Sequence, residues 1–261
     1  MQLNSLKLSL TEELTKNAQV SLLQADTWCV PVHTLNVTYK PVIRTKMDIL
    51  MKMLFLSLKD THFESAEQIS EILLVEQLFV EDLLSKMEKT GLITKVDSYY
   101  QLTEKGQKQF ASGVFEEEQD PTSTELLYSP THRSFLNGDI EEVLEFEDFP
   151  DQIFRFQNTE SELNLDDQVV IEKIRLQNDD DEDQLEELQE KDKLYITSID
   201  SVEDVQVNDV PCIEFLLYDV EKDQFFPRVW NTLMDKWDEK LENIIQENEK
   251  LTWREKYPQT L

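Results

Sequence analysis

The stretch TKMDILMKMLFLSLKD, residues 45–60, places the tightest constraint on the fold. Met47, Ile49, Leu50, Met51, Met53, Leu54, Phe55, Leu56 and Leu58 cover nearly the whole circumference of a helix. A helix lying on a surface would leave a broad polar face instead. Thr45 and Asp48 mark its start, a capping box with Asp in place of the usual Glu. Such a helix must be covered on two sides, by its own domain and by either a preceding arm or a second subunit. With 4 Gly and 8 Pro in 261 residues, sharp turns are scarce and helices are favoured over an all-β fold.

The segments before and after this helix fall into an order. Thr11 is placed to cap a helix carrying Leu14, Ala18 and Leu22, and TWCVPVHTLNVTYKPV (27–42) reads as extended. Pro31 and Pro41 assign that extended segment to an edge strand or coil. After residue 60, Ser65 caps a helix with Ile69, Ile72 and Leu73 as its apolar stripe. A further helix repeats Phe79, Leu83 and Met87, with Gly91 suited to a left-handed end. LITKV and YYQL then form a hairpin about Asp97 and Ser98, and Thr103 caps a closing helix.

The succession SAEQISEIL, FVEDLLSKMEKTGLI, hairpin and YQLTEKG resembles the winged helix-turn-helix fold, in the texture of MarR-like bacterial regulators. The resemblance covers residues 45–113 and implies an α+β fold class. An N-terminal winged helix-turn-helix domain would be followed by an acidic C-terminal α+β unit. The domain reading is a helix and arm at 1–44, the winged helix at 45–118 and an acidic, aromatic-rich connection at 119–192. Strands and a long amphipathic helix then occupy 193–261, the helix repeating Trp230, Leu233, Trp237, Leu241 and Ile244.

Charge decides which partners such a chain attracts. It holds 25 Lys+Arg against 55 Asp+Glu, a net charge of −30. Residues 1–118 contain 12 bases and 17 acids, residues 119–261 contain 13 and 38. A field of that sign draws basic protein surfaces and repels nucleic acid and anionic lipid. In DNA-reading relatives the third helix faces the groove; here it offers Glu76, Gln77, Glu81, Asp82 and Ser85. Lys86, Lys89, Lys95, Lys105 and Lys108 are the residues that a DNA-binding alternative would place on the phosphate backbone.

A protein-docking segment is the sharper expectation. Between 139 and 156, Glu145, Glu147 and Asp148 intersperse Phe146, Phe149 and Phe154, so acids would steer a basic partner and rings would bind it. The bland alternative buries these rings in a subdomain core. The run NDDDEDQLEELQEKD (178–192) lacks the alternating ligands and central Gly of a calcium loop and reads as solvated.

No catalytic constellation emerges. His33, His62 and His132 are far apart, and Cys29 with His33 supplies two ligands where zinc needs three or four. HRSFLNGD (132–139) resembles the His-x-Lys-x4-Asp motif of phospholipase D-like phosphodiesterases, but Ser134 stands where the lysine belongs. No cofactor, metal or catalytic residue is therefore expected. No run reaches the ~18 apolar residues of a membrane span, and MQLNSLKLSLTEEL lacks the features of a secretory signal. The reading is a cytoplasmic, non-enzymatic adaptor or regulator of bacterial style. It would bind a protein with a basic or apolar surface, with a homodimer as an open option; dimerisation through the apolar helix belongs to the DNA-binding alternative. A winged-helix transcription regulator is the alternative, and an acidic mimic of nucleic acid a weaker one.

Overall fold

The computed structural model describes residues 2–148, Arg155, 165–182 and 194–257. Helix α1 (Leu3–Leu14) precedes a strand of 27 residues, β1 (Val20–Lys46). Helices α2 (Ile49–Asp60), α3 (Ala66–Leu73) and α4 (Gln77–Lys89) follow. Next come β2 (Ile93–Val96), β3 (Tyr99–Leu102) and α5 (Glu104–Ser112). Strands β4 (Val114–Glu118), β5 (Thr122–Ser129) and β6 (Ser134–Leu136) lead to α6 (Ile140–Leu144). Helix α7 (Asp167–Glu182) precedes β7 (Leu194–Asp219), β8 (Gln224–Asn231), β9 (Lys236–Trp237) and α8 (Glu239–Lys256).

This architecture corrects the expected fold class. An N-terminal winged-helix domain with a separate C-terminal α+β unit does not accommodate a seven-stranded sheet ordered β6-β5-β1-β7-β8-β9, with β4 also on β1. The segment expected as a covering arm is the long strand β1, inside that sheet. Its two prolines, taken as marks of an edge, sit in an interior strand. Each proline removes one donor from the ladder, a small loss over 27 residues, and the Pro41 carbonyl still accepts from Gln119 N–H at 2.8 Å.

Other local expectations also changed. The helix expected from Thr11 ends at Leu14, because Val20 onward belongs to β1. The stretch 194–219, where KLYITSI and VPCIEFLLYDV read as separate strands, is one strand. Trp230, Leu233 and Trp237 are not helical: Trp230 lies in β8, whose burial alternates along QFFPRVWN, Leu233 in the turn that follows and Trp237 in β9. The true start of the final helix is Asp238, whose side chain accepts from Leu241 N–H.

The chain divides into two units, residues 1–37, 124–165 and 202–261 in one, 38–123 and 166–201 in the other. In the first, sheet residues alternate between two covered faces. Trp28, Val30, Cys212, Leu216 and Tyr218 pack with Leu241, Ile245 and Trp253 of α8. Ile213, Phe215 and Leu217 pack with Leu3 and Leu10 of α1. Coverage on both faces explains why PCIEFLLY is apolar at nearly every position, Glu214 being the exception.

The second unit centres on Met51, Leu54, Phe55 and Leu58 of α2, Ile69 of α3, and Val80, Leu84 and Met87 of α4. Gly106 is required here: a Cβ would lie 2.1 Å from the Leu92 carbonyl oxygen. Helix α2 is only partly enclosed. Ile49, Met53 and Leu56, one stripe at i, i+4, i+7, are 75%, 40% and 51% exposed, although the sequence called for cover on both sides.

Three hairpins of the first unit use one device. Pairs Ser129–Ser134, Asp219–Gln224 and Asn231–Lys236 each close a four-residue loop. The last loop residue is left-handed in each: Arg133 (φ 49°), Asp223 (φ 48°) and Asp235 (φ 48°). The entry residue's oxygen accepts loop amides, Glu221 and Lys222 on Asp219, Leu233 and Met234 on Asn231, His132 on Ser129. Such side-chain turns replace the glycine that hairpins usually need.

Candidate functional site: an acid-rimmed apolar surface on the second unit

Between Asp60 and Ser85 the chain carries seven carboxylates and no Lys or Arg. Helices α3 and α4 and their connecting turn occupy most of this stretch, and all seven acids are exposed. In their midst lie four large apolar side chains open to water: Ile72 (61%), Leu74 (91%), Leu78 (68%) and Phe79 (61%). Glu71, Glu76, Glu81 and Asp82 alternate with them along the sequence. Single exposed apolar residues need no explanation, but a group rimmed by charge marks a contact surface.

The local sequence dictates this geometry. Val80, Leu84 and Met87 turn inward at helical spacing, which forces Leu78, Glu81 and Asp82 outward. Ser65 Oγ caps α3 through Gln68 N–H, and Leu74 ends it in the left-handed region at φ 52°. An L-residue with a γ-branched side chain seldom adopts that conformation. Leu74 is thus held in an unfavourable backbone state while its side chain buries almost nothing.

Phe79 also borders a groove of about 290 Å³. Leu50 and Met51 of α2, Leu83 of α4 and Phe115 of β4 give it an apolar lining, and Asp48, Asp82, Lys46 and Lys86 supply the polar lining. Asp48 is committed to capping α2 through Leu50 N–H at 2.7 Å. Lys86 is committed to Glu117 at 3.1 Å and lies 4.9 Å from the Phe115 ring centre.

The five lysines of the DNA-binding alternative are distributed as follows. Besides Lys86, Lys105 pairs with Glu118 and Lys108 with Glu104, each at 2.8 Å. Those lysines hold the Glu118 and Glu104 carboxyls below the usual range. Lys95 lies over the Tyr100 ring at 4.7 Å, and Lys89 is exposed in the last turn of α4. Three of five are thus neutralised by carboxylates of the same unit, so they present little unpaired positive charge to a phosphate backbone.

The acidic-aromatic segment is placed differently from that surface. Phe146 is half-buried against the core of Leu3, Leu10, Ile213, Phe215 and Leu217. Asp148 accepts from Leu3 N–H at 2.5 Å and Asn4 N–H at 2.8 Å, so it caps α1 from a distance in sequence; those amides hold its carboxyl below the ordinary range. Glu147 accepts from Gln2 at 3.3 Å, and Glu145 is exposed at the end of α6. Phe149 and Phe154 lie outside the described residues, as does 183–192 of the acidic run, whose beginning extends α7.

One arrangement was missed in sequence. Ser129 Oγ lies 2.7 Å from His132 Nδ1, and His132 Nε2 lies 2.8 Å from Asp238 Oδ2. Asn231 Nδ2 donates to the same carboxylate at 2.9 Å. Burial pushes the Asp238 carboxyl up, but the bonds from His132 and Asn231 outweigh it and the net direction is down. Ionised, Asp238 can only accept, so Nε2 carries the proton. The composition is that of a nucleophile, base and acid, yet Ser129, His132 and Asp238 are 0%, 2% and 3% exposed. The hydroxyl is closed to solvent, and the network joins the β5–β6 loop to the start of α8. Its signal in sequence was the repeated four-residue loop with an oxygen-bearing entry residue.

Among the described residues no three His, Cys, Asp or Glu side chains are grouped as metal ligands, and no helix is long and apolar enough to cross a membrane. No protein-family model, curated protein or solved structure matches the chain.

Proposed function

We propose that this chain is a non-enzymatic protein-binding module whose partner presents apolar side chains within a basic surface. The supporting observation is the cluster of exposed Ile72, Leu74, Leu78 and Phe79 inside a stretch of seven acids without a base. Apolar burial would supply the affinity, and the acid rim would steer encounter and reject acidic competitors. The net charge of −30 acts in the same direction at longer range. Two buried free thiols, Cys29 and Cys212, suit a reducing compartment, and we place the module in the cytoplasm.

The test is capture from native-host extract by the wild type and by Leu78→Ser with Phe79→Ser, at low and high salt. A genuine partner is retained by the wild type, weakened by salt and lost with the variant while the melting temperature holds. Equal retention by both proteins overturns the proposal. A second reading, self-association, rests on the uncovered Ile49, Met53 and Leu56 stripe. Light scattering decides it: a dimer that Leu56→Glu converts to monomer supports it, and a concentration-independent monomer ends it.

A further inference from the structure

In the first unit an arginine occupies a socket of carboxylates. Glu214 of β7, 6% exposed, accepts from Trp28 Nε1–H at 2.8 Å and from Arg155 Nη1 at 2.6 Å. Nη2 of the same guanidinium reaches Glu249 of α8 at 2.5 Å, and the guanidinium carbon lies 5.9 Å from the Trp28 ring centre. A cavity of about 150 Å³ adjoins it, lined also by Asp26, Thr252 and Lys256. Burial pushes the Glu214 carboxyl up; Arg155 and the Trp28 bond oppose this, while Glu249 and Asp26 add to it.

Two carboxylates that meet separate nitrogens of one planar fork beside an indole ring favour arginine over lysine, because an ammonium offers a single nitrogen to both. Two observations set this apart from an ordinary ion pair. Nε of Arg155 is buried without a bonding partner, so the resident guanidinium fills its place incompletely, and empty volume remains beside it. Arg155 is also the single Lys or Arg between Arg133 and Lys173, a stretch with twelve acids. The one cation of that stretch is the group that sits in the socket.

We propose that this socket is a guanidinium-recognition site, filled by Arg155 in the free chain and by an arginine of a basic partner in the complex. Arg155 is then an internal competitor that sets how much affinity an incoming arginine gains. The inference does not depend on the α3–α4 surface, which lies in the other unit.

The test titrates N-acetyl-arginine amide into the full chain and follows the Trp28 indole N–H resonance, assigned with Trp28→Phe. Arg155→Ala should bind saturably in the millimolar range and the wild type at least tenfold more weakly. Arg155→Ala with Glu214→Gln should show no saturable shift, and N-acetyl-lysine amide should bind Arg155→Ala at least fivefold more weakly than the arginine probe. Arg155→Gln keeps the side-chain length and replaces the alanine variant if that variant melts early. Absence of binding in a folded Arg155 variant overturns the proposal, as does equal binding to the wild type. If both Arg155 variants unfold the chain, the arginine is a structural ion partner and the proposal is likewise overturned.

Discussion

Leu74→Gly separates folding from binding on the α3–α4 surface. Leu74 ends α3 at φ 52° with 91% of its surface in water. Left-handed backbone costs an L-residue about 1–2 kcal/mol, and glycine removes that cost. Against this, glycine adds roughly 0.5–1 kcal/mol of unfolded-state freedom. The lost side chain forfeits little, since burying about a tenth of a leucine contributes only ~0.2 kcal/mol. The sum favours the variant by about 0.5 kcal/mol, a rise of roughly 1–2 °C in melting temperature for a chain of this size. Urea unfolding with matched slopes measures the change, and dye binding to exposed apolar surface should fall in the same variant. Leu84→Ala, at 2% exposure, is the contrast and should cost about 2–5 kcal/mol. A loss of more than 1 kcal/mol in Leu74→Gly would refute the reasoning, because Leu74 would then be packing against something.

Asp238→Asn should destabilise by about 2–4 kcal/mol in urea titrations, since it removes a buried, charge-assisted acceptor from His132 and Asn231. Because the folded Asp238 carboxyl is held low, its contribution is present above the usual carboxylate range and is lost as pH falls through the depressed value. The wild-type melting temperature should therefore drop more steeply in acid than that of Asp238→Asn. Asp148→Ala should speed hydrogen exchange at Leu3 and Asn4 and leave the α8 amides unchanged, as read by amide exchange with mass spectrometry. Duplex DNA should show no binding by fluorescence anisotropy at physiological salt; binding that disappears in Lys95→Ala with Lys105→Ala would restore the regulator reading.

The features legible in the sequence were those decided within a few residues. Ser65, Thr103 and Gly91 mark ends of α3, α5 and the loop before β2 because caps and left-handed positions depend on local chemistry. The path of β1 was not legible, since Pro31 and Pro41 argue locally for an edge while pairing with distant β7 makes the strand interior. Trp230, Leu233 and Trp237 show the same limit: their spacing reads as helical, but pairing of β8 with β7 makes Trp230 a strand residue and the β8–β9 turn sets it opposite Trp237. The acids of the candidate surface were visible as residue types on α4. Their grouping with exposed leucines was not, because exposure depends on which helix face the core claims.

The most direct measurement is a selection from a random-peptide display library on the wild type, with counter-selection on Leu78→Ser and Phe79→Ser. A binding surface of this chemistry enriches peptides that combine Leu, Ile, Phe or Trp with Lys and Arg. Their affinity should fall at least tenfold with the double variant and weaken as salt rises. No enrichment, or peptides that bind the variant equally well, would contradict the account.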